Sequence, residues 1–215
     1  MKAYFISGLG ADASVFHRIK LPSRFDPVFL NWIEPLKDET FESYAGRLSQ
    51  PIDTKEDFIL VGLSLGGMMA VEMNKFLKPE LTVLISSAVH KNELPRQGLL
   101  LGKAGIHKIL PEKLFHSNNL ISSRLIGLET KEDKSLAAAM IAKASIHFFR
   151  WAIDRIIRWE NDFVPENMIR LHGTKDNIIP FPKDKNIIPV TGGTHFMVFN
   201  RANEINEILW GKLSN

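Results

Sequence analysis

The segment Phe58–Gly67 reads FILVGLSLGG: an unbroken apolar run, then Gly62-x-Ser64-x-Gly66, then MMAVEMNKFL with the composition of a helix. A continuous apolar run of this length suits a strand covered on both faces, as in a parallel sheet. The two glycines around one serine suit a sharp strand–turn–helix elbow. Such an elbow forces its central residue toward strained backbone angles and lifts Ser64 above the sheet edge. Gly62 and Gly66 lack a Cβ, so neighbouring backbone can pass closely. By chance the pattern arises about 0.07 times in a chain of this length; it is the strand before it and the helix after it that make it specific. The plainer alternative is a tight βα turn carrying a serine with no chemical role.

Other apolar runs repeat the strand signature at Tyr4–Ser7, Val28–Asn31, Thr82–Ser86 and Met168–His172. A weaker run at Ile187–Val190 contains Pro189, which argues for an edge strand. Helical patterns lie between them. Phe41, Tyr44, Ala45 and Leu48 form a stripe behind an Asp38 or Thr40 cap, and Ile205, Ile208, Leu209 and Leu213 form another. Strands alternating with helices predict a doubly wound, mostly parallel α/β sheet of about six strands. Residues 88–165 interrupt the rhythm with helix formers, SLAAAMIAKA and FFRWAIDRIIRW, punctuated earlier by Pro95 and Pro111. The expectation is a single domain over 1–215, with its core at 1–87 and 166–215 and a helical cap inserted at about 88–165.

The chain has 215 residues, no cysteine and a net charge of +3. Disulfides, thiolate zinc sites and cysteine nucleophiles are thereby excluded. The charge falls short of a nucleic-acid footprint. Its excess is local: residues 88–165 carry 12 basic and 8 acidic side chains, a balance that points weakly to an anionic group on the substrate. No run of about 18 apolar residues predicts a membrane span. The opening MKAYFISGLGA imitates a signal peptide only briefly before Asp12 and lacks a cleavage site, so a cytoplasmic protein is expected.

A serine hydroxyl needs a base, and the base needs an orienting acid. Of the seven histidines, His195 lies in TGGTHF, after the last strand and before the last helix. A loop there falls at the carboxyl edge of a parallel sheet, where such folds build their sites. Asp176 in LHGTKDNIIP follows the fifth strand; its plain alternative is a turn aspartate. The order Ser64, Asp176, His195 is that of hydrolases with this elbow. The slot after the preceding strand reads Ser86-Ser87-Ala88 and offers no carboxylate, and His172 reads as structural.

After the first strand comes Ser7-Gly8-Leu9-Gly10-Ala11-Asp12. Two glycines let the backbone curl so that the N–H of Leu9, paired with that of Leu65, can face an oxyanion. One such donor is worth on the order of 3 kcal/mol of transition-state stabilisation. The rival reading is a dinucleotide loop, Gly8-x-Gly10-x-x-Ala13. It wants an acid at the end of the next strand, where Asn31 stands with Glu34 beyond. GLSLGGMM lacks the Gly-Lys-Ser/Thr ending of a phosphate-binding P-loop. Met68, Met69 and Met73 read as core; Trp151 and Trp159 read equally as pocket wall or packing, and Trp32 falls near the expected site mouth without an assigned role.

With the GLSLG elbow, the HGTKD loop ending at Pro180 and the GGTHF loop in view, the chain resembles the α/β-hydrolase superfamily over nearly its whole length. The resemblance implies a Ser64–His195–Asp176 triad and an oxyanion hole from the backbones of Leu9 and Leu65. It also implies a reaction without cofactor or metal, in a pocket beneath the cap, on a small-molecule acyl substrate. The chain looks like a small member beginning at the family's third strand. It has Ser7-Gly8 where many members have His-Gly. The expected activity is hydrolysis of a carboxylic ester, lactone or thioester through an acyl-enzyme. The same fold also hosts carbon–carbon bond hydrolases and non-catalytic small-ligand receptors.

Overall fold

A computed structural model describes residues 1–95 and 120–214. Six parallel strands form one sheet in the order β2-β1-β3-β4-β5-β6. They are β1 (Lys2–Ile6), β2 (Asp26–Leu30), β3 (Phe58–Leu63), β4 (Leu81–Ile85), β5 (Met168–Gly173) and β6 (Ile187–Val190). All six expected strands are present, with ends displaced by one or two residues. Pro189 lies on β6, at a sheet edge, where its missing N–H leaves no ladder bond unmade.

The strands read as continuous apolar runs because both faces are covered. Tyr4, Ile6, Leu60 and Leu84 join one buried cluster; Ala3, Phe5, Ile59, Val61, Val83 and Ile85 join the other. Alternate residues point to opposite faces, so neither face of the central strands can be polar. On the first face pack α1 (Phe41–Leu48) and α2 (Leu65–Met73), whose Met68, Met69 and Met73 are core. The cap of α1 is Thr40, whose hydroxyl accepts from the Ser43 N–H; Asp38 stands before it with φ 56.

Between β4 and β5 come α3 (Leu120–Ile126), α4 (Lys131–Lys143) and α5 (Ile146–Arg158). The early part of the expected cap, with Pro111, lies outside the described residues. Helix α4 opens with a capping box between Thr130 and Asp133, and Ser145 caps α5. Helices α6 (Met197–Asn200) and α7 (Ala202–Leu213) follow β6 and cover the second face, where Ile205, Leu209 and Leu213 are buried. Among the described residues no single helix is long and apolar enough to cross a membrane.

The two ends of the insertion are clasped together. The Asn161 side-chain amide donates to the Val89 carbonyl at 2.7 Å, and His90 meets Asp162 at 2.9 Å. Lys91 pairs with Glu160. The Arg170 guanidinium, 2% exposed, bonds Glu93 at 2.7 Å. The indole of Trp159 donates to the buried Glu72 carboxylate at 2.8 Å, and that of Trp151 donates to the Glu39 carbonyl at 2.9 Å. Both tryptophans are therefore anchors of the insertion on α1 and α2.

Candidate active site

Parallel register brings distant loops to one edge. Ile6 pairs with Gly62, Leu63 with Ile85, Ile85 with Leu171, and Gly173 with Val190. The turns after β1, β3, β5 and β6 therefore leave the sheet side by side, at the carboxyl ends where open α/β sheets bind ligands.

Ser64 sits between β3 and α2 with φ 51 and ψ −116, outside the regions that side chains ordinarily adopt. The glycines around it answer to close backbone contact. A Cβ on Gly62 would lie 2.4 Å from the Gly67 Cα, and one on Gly66 would lie 2.1 Å from the Ile6 carbonyl oxygen. The strained peptide is held on both sides. Its N–H donates to the Ile85 carbonyl at 3.0 Å, and its carbonyl accepts from Gly67, Met68 and, at 2.7 Å, the Ser87 hydroxyl.

His195 follows the Gly192-Gly193 turn and precedes α6. Its Nε2 lies 2.9 Å from the Ser64 hydroxyl and its Nδ1 lies 2.8 Å from Asp176 Oδ2. With the ring proton on Nδ1, the serine O–H donates to Nε2 and the ring donates to the carboxylate. The Asp176 side chain is fully buried. Its other oxygen accepts the N–H groups of Ile178 and Ile179, each at 2.9 Å. Gly173 lets the two loops meet, since a Cβ there would lie 2.2 Å from the Gly193 carbonyl oxygen. Residues separated by more than a hundred positions thus form one hydrogen-bonded chain.

His172 is buried and keeps a neighbouring place. Its Nε2–H donates to the Ile179 carbonyl at 2.8 Å, with Asp176 Oδ2 at 3.4 Å. Burial pushes its pKa below the usual histidine range, against the opposing effects of the Ile179 bond and the Asp176 charge. It braces the acid loop as a neutral ring.

The loop after β1 is closed by its own first residue. The Ser7 hydroxyl donates to the Ala11 carbonyl at 2.8 Å, and the Ala11 N–H returns to the Gly8 carbonyl at 3.1 Å. The Trp32 indole also donates to the Gly8 carbonyl, at 3.2 Å. Gly10 takes φ 71, which glycine adopts freely. Gly8 comes close to Ser64: a Cβ there would lie 3.4 Å from the Ser64 Cβ. Among the described residues neither the Leu9 nor the Leu65 N–H meets a protein acceptor. The dinucleotide reading needs an α-helix opening after this loop, but β1 and β2 are joined by a four-residue 3₁₀ turn, Ala13–Phe16. The helix that would hold the phosphates is absent from that position.

Leu9, Ser64, Leu65 and His195 open into one cavity of about 480 Å³, to which α4 and α5 contribute wall. A smaller cavity of about 220 Å³ lies across Gly10 and Ala11, with Asp12, Trp32, Glu34 and Lys143 on its wall. The Asp12 carboxyl is lowered below its usual range: burial opposes ionisation, but bonds from Ser14 and Lys143 outweigh it. Four basic residues of the insertion have acidic partners among the described residues. Lys91 meets Glu160, Lys143 meets Asp12, and Arg155 and Arg158 meet Asp154. Among the described residues no group of three or more His, Asp or Glu side chains is arranged to hold a metal ion.

No protein-family model and no curated protein matches the chain. Solved structures do. MenH from S. aureus aligns with a TM-score of 0.73 at 18% identity, covering 100% of this chain and 93% of that one. The esterase EaEST from Exiguobacterium antarcticum aligns at 0.71 and 15% identity, covering 100% and 92%. A Bacillus megaterium epoxide hydrolase aligns at 0.69 and 12%, covering 100% and 93%. The protein has the α/β-hydrolase fold. At these identities the likeness is one of architecture, and chemistry must be argued from the site.

Proposed function

We propose that the protein is a serine hydrolase that cleaves an ester-type bond (carboxylic ester, lactone or thioester) in a small molecule. The observation that carries this reading is His195, which bridges the Ser64 hydroxyl and the buried Asp176 carboxylate through its two ring nitrogens. In this mechanism His195 Nε2 takes the proton as Ser64 Oγ attacks the carbonyl carbon. Asp176 fixes the tautomer and stabilises the imidazolium that forms. The N–H groups of Leu9 and Leu65 hold the oxyanion. His195 then returns the proton to the departing alkoxide or thiolate, leaving Ser64 acylated. A water deprotonated by the same nitrogen attacks the acyl-enzyme and regenerates the serine.

The pairing of all three side chains supports an enzyme over a receptor. A fluorophosphonate probe should label the wild type at Ser64 and leave Ser64→Ala unlabelled. His195→Ala should lower kcat on the order of 10⁴-fold or more, with Asp176→Ala costing less. Equal labelling of wild type and Ser64→Ala refutes the assignment.

A further inference from the structure

The wall of the 480 Å³ cavity is apolar almost without interruption. Among its described lining residues only Ser64 and His195 have polar side chains. The wall draws on both faces of the sheet: Val15, Ala137 and Met140 belong to one buried cluster, Met68, Leu94 and Ile179 to the other. Ser64 therefore has apolar surface to either side.

Helix α5 shows how the sequence builds this wall. Phe148, Trp151 and Ala152 are buried in the core beneath it. A second stripe, Phe149, Ile153, Ile156 and Ile157, at i, i+4, i+7 and i+8, lines the cavity. The three isoleucines are only half-buried. A second apolar stripe beside a serine and its base, left part-uncovered, is a surface for an apolar ligand. Charge is kept off it. Asp154, Arg155 and Arg158 pair with one another and contribute nothing to the lining. Lys143, Asp12 and Glu34 line the smaller cavity across Gly10 instead.

We infer that the substrate is an uncharged aliphatic ester, its acyl chain laid along the isoleucine stripe of α5. This rests on the hydrolase reading above and adds the substrate class, and it replaces the anionic group that the basic insertion suggested. A carboxylate or ammonium in this cavity would lose its water and find no Asp, Glu, Lys or Arg among the described lining residues, whereas each methylene buried gains transfer free energy. At about 30 Å³ for each water-sized group the cavity takes an ester of roughly 16 non-hydrogen atoms. An acyl chain of up to about ten carbons with a small leaving group fills it.

The test is a series of 4-nitrophenyl esters from acetate to dodecanoate, below their micellar concentrations and corrected for alkaline reactivity. It is run beside the 4-nitrophenyl monoester of adipic acid, the ω-carboxylate counterpart of the hexanoate. Wild-type kcat/KM should rise by up to about fourfold per added methylene, levelling once the cavity is filled. The adipate monoester should fall at least a hundredfold below the hexanoate. Ile153→Trp should move the optimum to shorter chains, and Ile157→Phe serves if that variant unfolds. A flat or falling profile from acetate upward, or preference for the carboxylated ester, overturns the substrate class. Fluorophosphonate labelling of the same samples separates the two claims. A labelled enzyme with a flat profile loses only the aliphatic assignment, whereas an enzyme neither labelled nor active loses the hydrolase reading with it.

Discussion

Replacing Gly66 by alanine should damage stability and turnover together, because the missing Cβ is where the elbow touches the end of β1. An ideal Cβ there would lie 2.1 Å from the Ile6 carbonyl oxygen and 2.4 Å from that of Ser7. Carbon–oxygen contacts close no tighter than about 3.3 Å, so one backbone must retreat by about 1 Å. Neither is free to do so. Ile6 is paired in register to both Leu30 and Gly62, and Ser64 is held to Ile85. Overpacking of this kind costs about 1–3 kcal/mol. The upper end applies, since both obstructing atoms are backbone, and roughly 1 kcal/mol of it is returned by the better helix propensity of alanine. A net loss of about 2 kcal/mol lowers Tm by roughly 4–8 °C in a domain of this size. The larger effect falls on turnover. Gly8 and Leu9 follow the displaced residues directly, and a misplacement of about 1 Å costs on the order of a hundredfold in rate. Thermal melts with kcat on 4-nitrophenyl butyrate measure both. Wild-type kcat in a folded Gly66→Ala protein would refute the claim that β1 and the elbow set the reacting geometry.

Gly46 is the counterpart, a glycine within α1 whose Cβ would meet nothing within 4 Å. Gly46→Ala should therefore raise stability by about 0.5–1 kcal/mol by denaturant melt, and a loss would contradict the open space. Arg170, buried between Glu93 and Asp184, should cost about 3–5 kcal/mol when replaced by methionine, because Glu93 is left near the base of the insertion without its cation; urea unfolding showing less than about 1 kcal/mol would refute that role. For His172, folding lowers the pKa through burial, so the unfolded chain binds the proton first as pH falls. Its contribution is present above its ordinary pKa of about 6.5 and is lost as pH drops from there toward the lowered folded value. His172→Gln should flatten the stability–pH curve below about 6.5, by up to about 1.4 kcal/mol per pH unit; parallel curves for variant and wild type would show that the ring is not held neutral.

Much of the framework was legible because it follows from local pattern. Strands buried on both faces leave unbroken apolar runs, and Gly62 and Gly66 mark contacts that no side chain survives. Ser64, Asp176 and His195 could be assembled from order alone, since each follows a strand of a parallel sheet and such strands end at one edge. The bracing of these residues was not legible. Ser87 read as the absence of a carboxylate, yet its hydroxyl supports the Ser64 carbonyl at 2.7 Å. Ser7 read as a departure from His-Gly, yet its hydroxyl closes the loop. The partners of the insertion's charges were not legible for the same reason. Whether Lys143 faces a substrate or Asp12, 131 positions away, depends on side-chain directions that composition does not contain.

Backbone strain alone does not identify the site. Among the described residues three non-glycine residues take positive φ: Asp38, Ser64 and Ser86. Ser86 is the instructive one, a serine just past the end of β4, as Ser64 is just past β3, with φ 47 against 51. Its N–H is bonded to the Leu171 carbonyl on the next strand, as that of Ser64 is to Ile85. Ser86, however, is fully buried, and its hydroxyl meets no partner. Ser64 lines a cavity, with an imidazole nitrogen 2.9 Å from its hydroxyl. Both turns hold strain of order 1–3 kcal/mol against the same sheet edge. What separates them is the glycine pair and the loop after β6: Gly62 and Gly66 let backbone close up beneath one serine, and Gly173 lets the loop that carries His195 come near. Position in the sheet makes the strain, and the neighbouring loops give it a use.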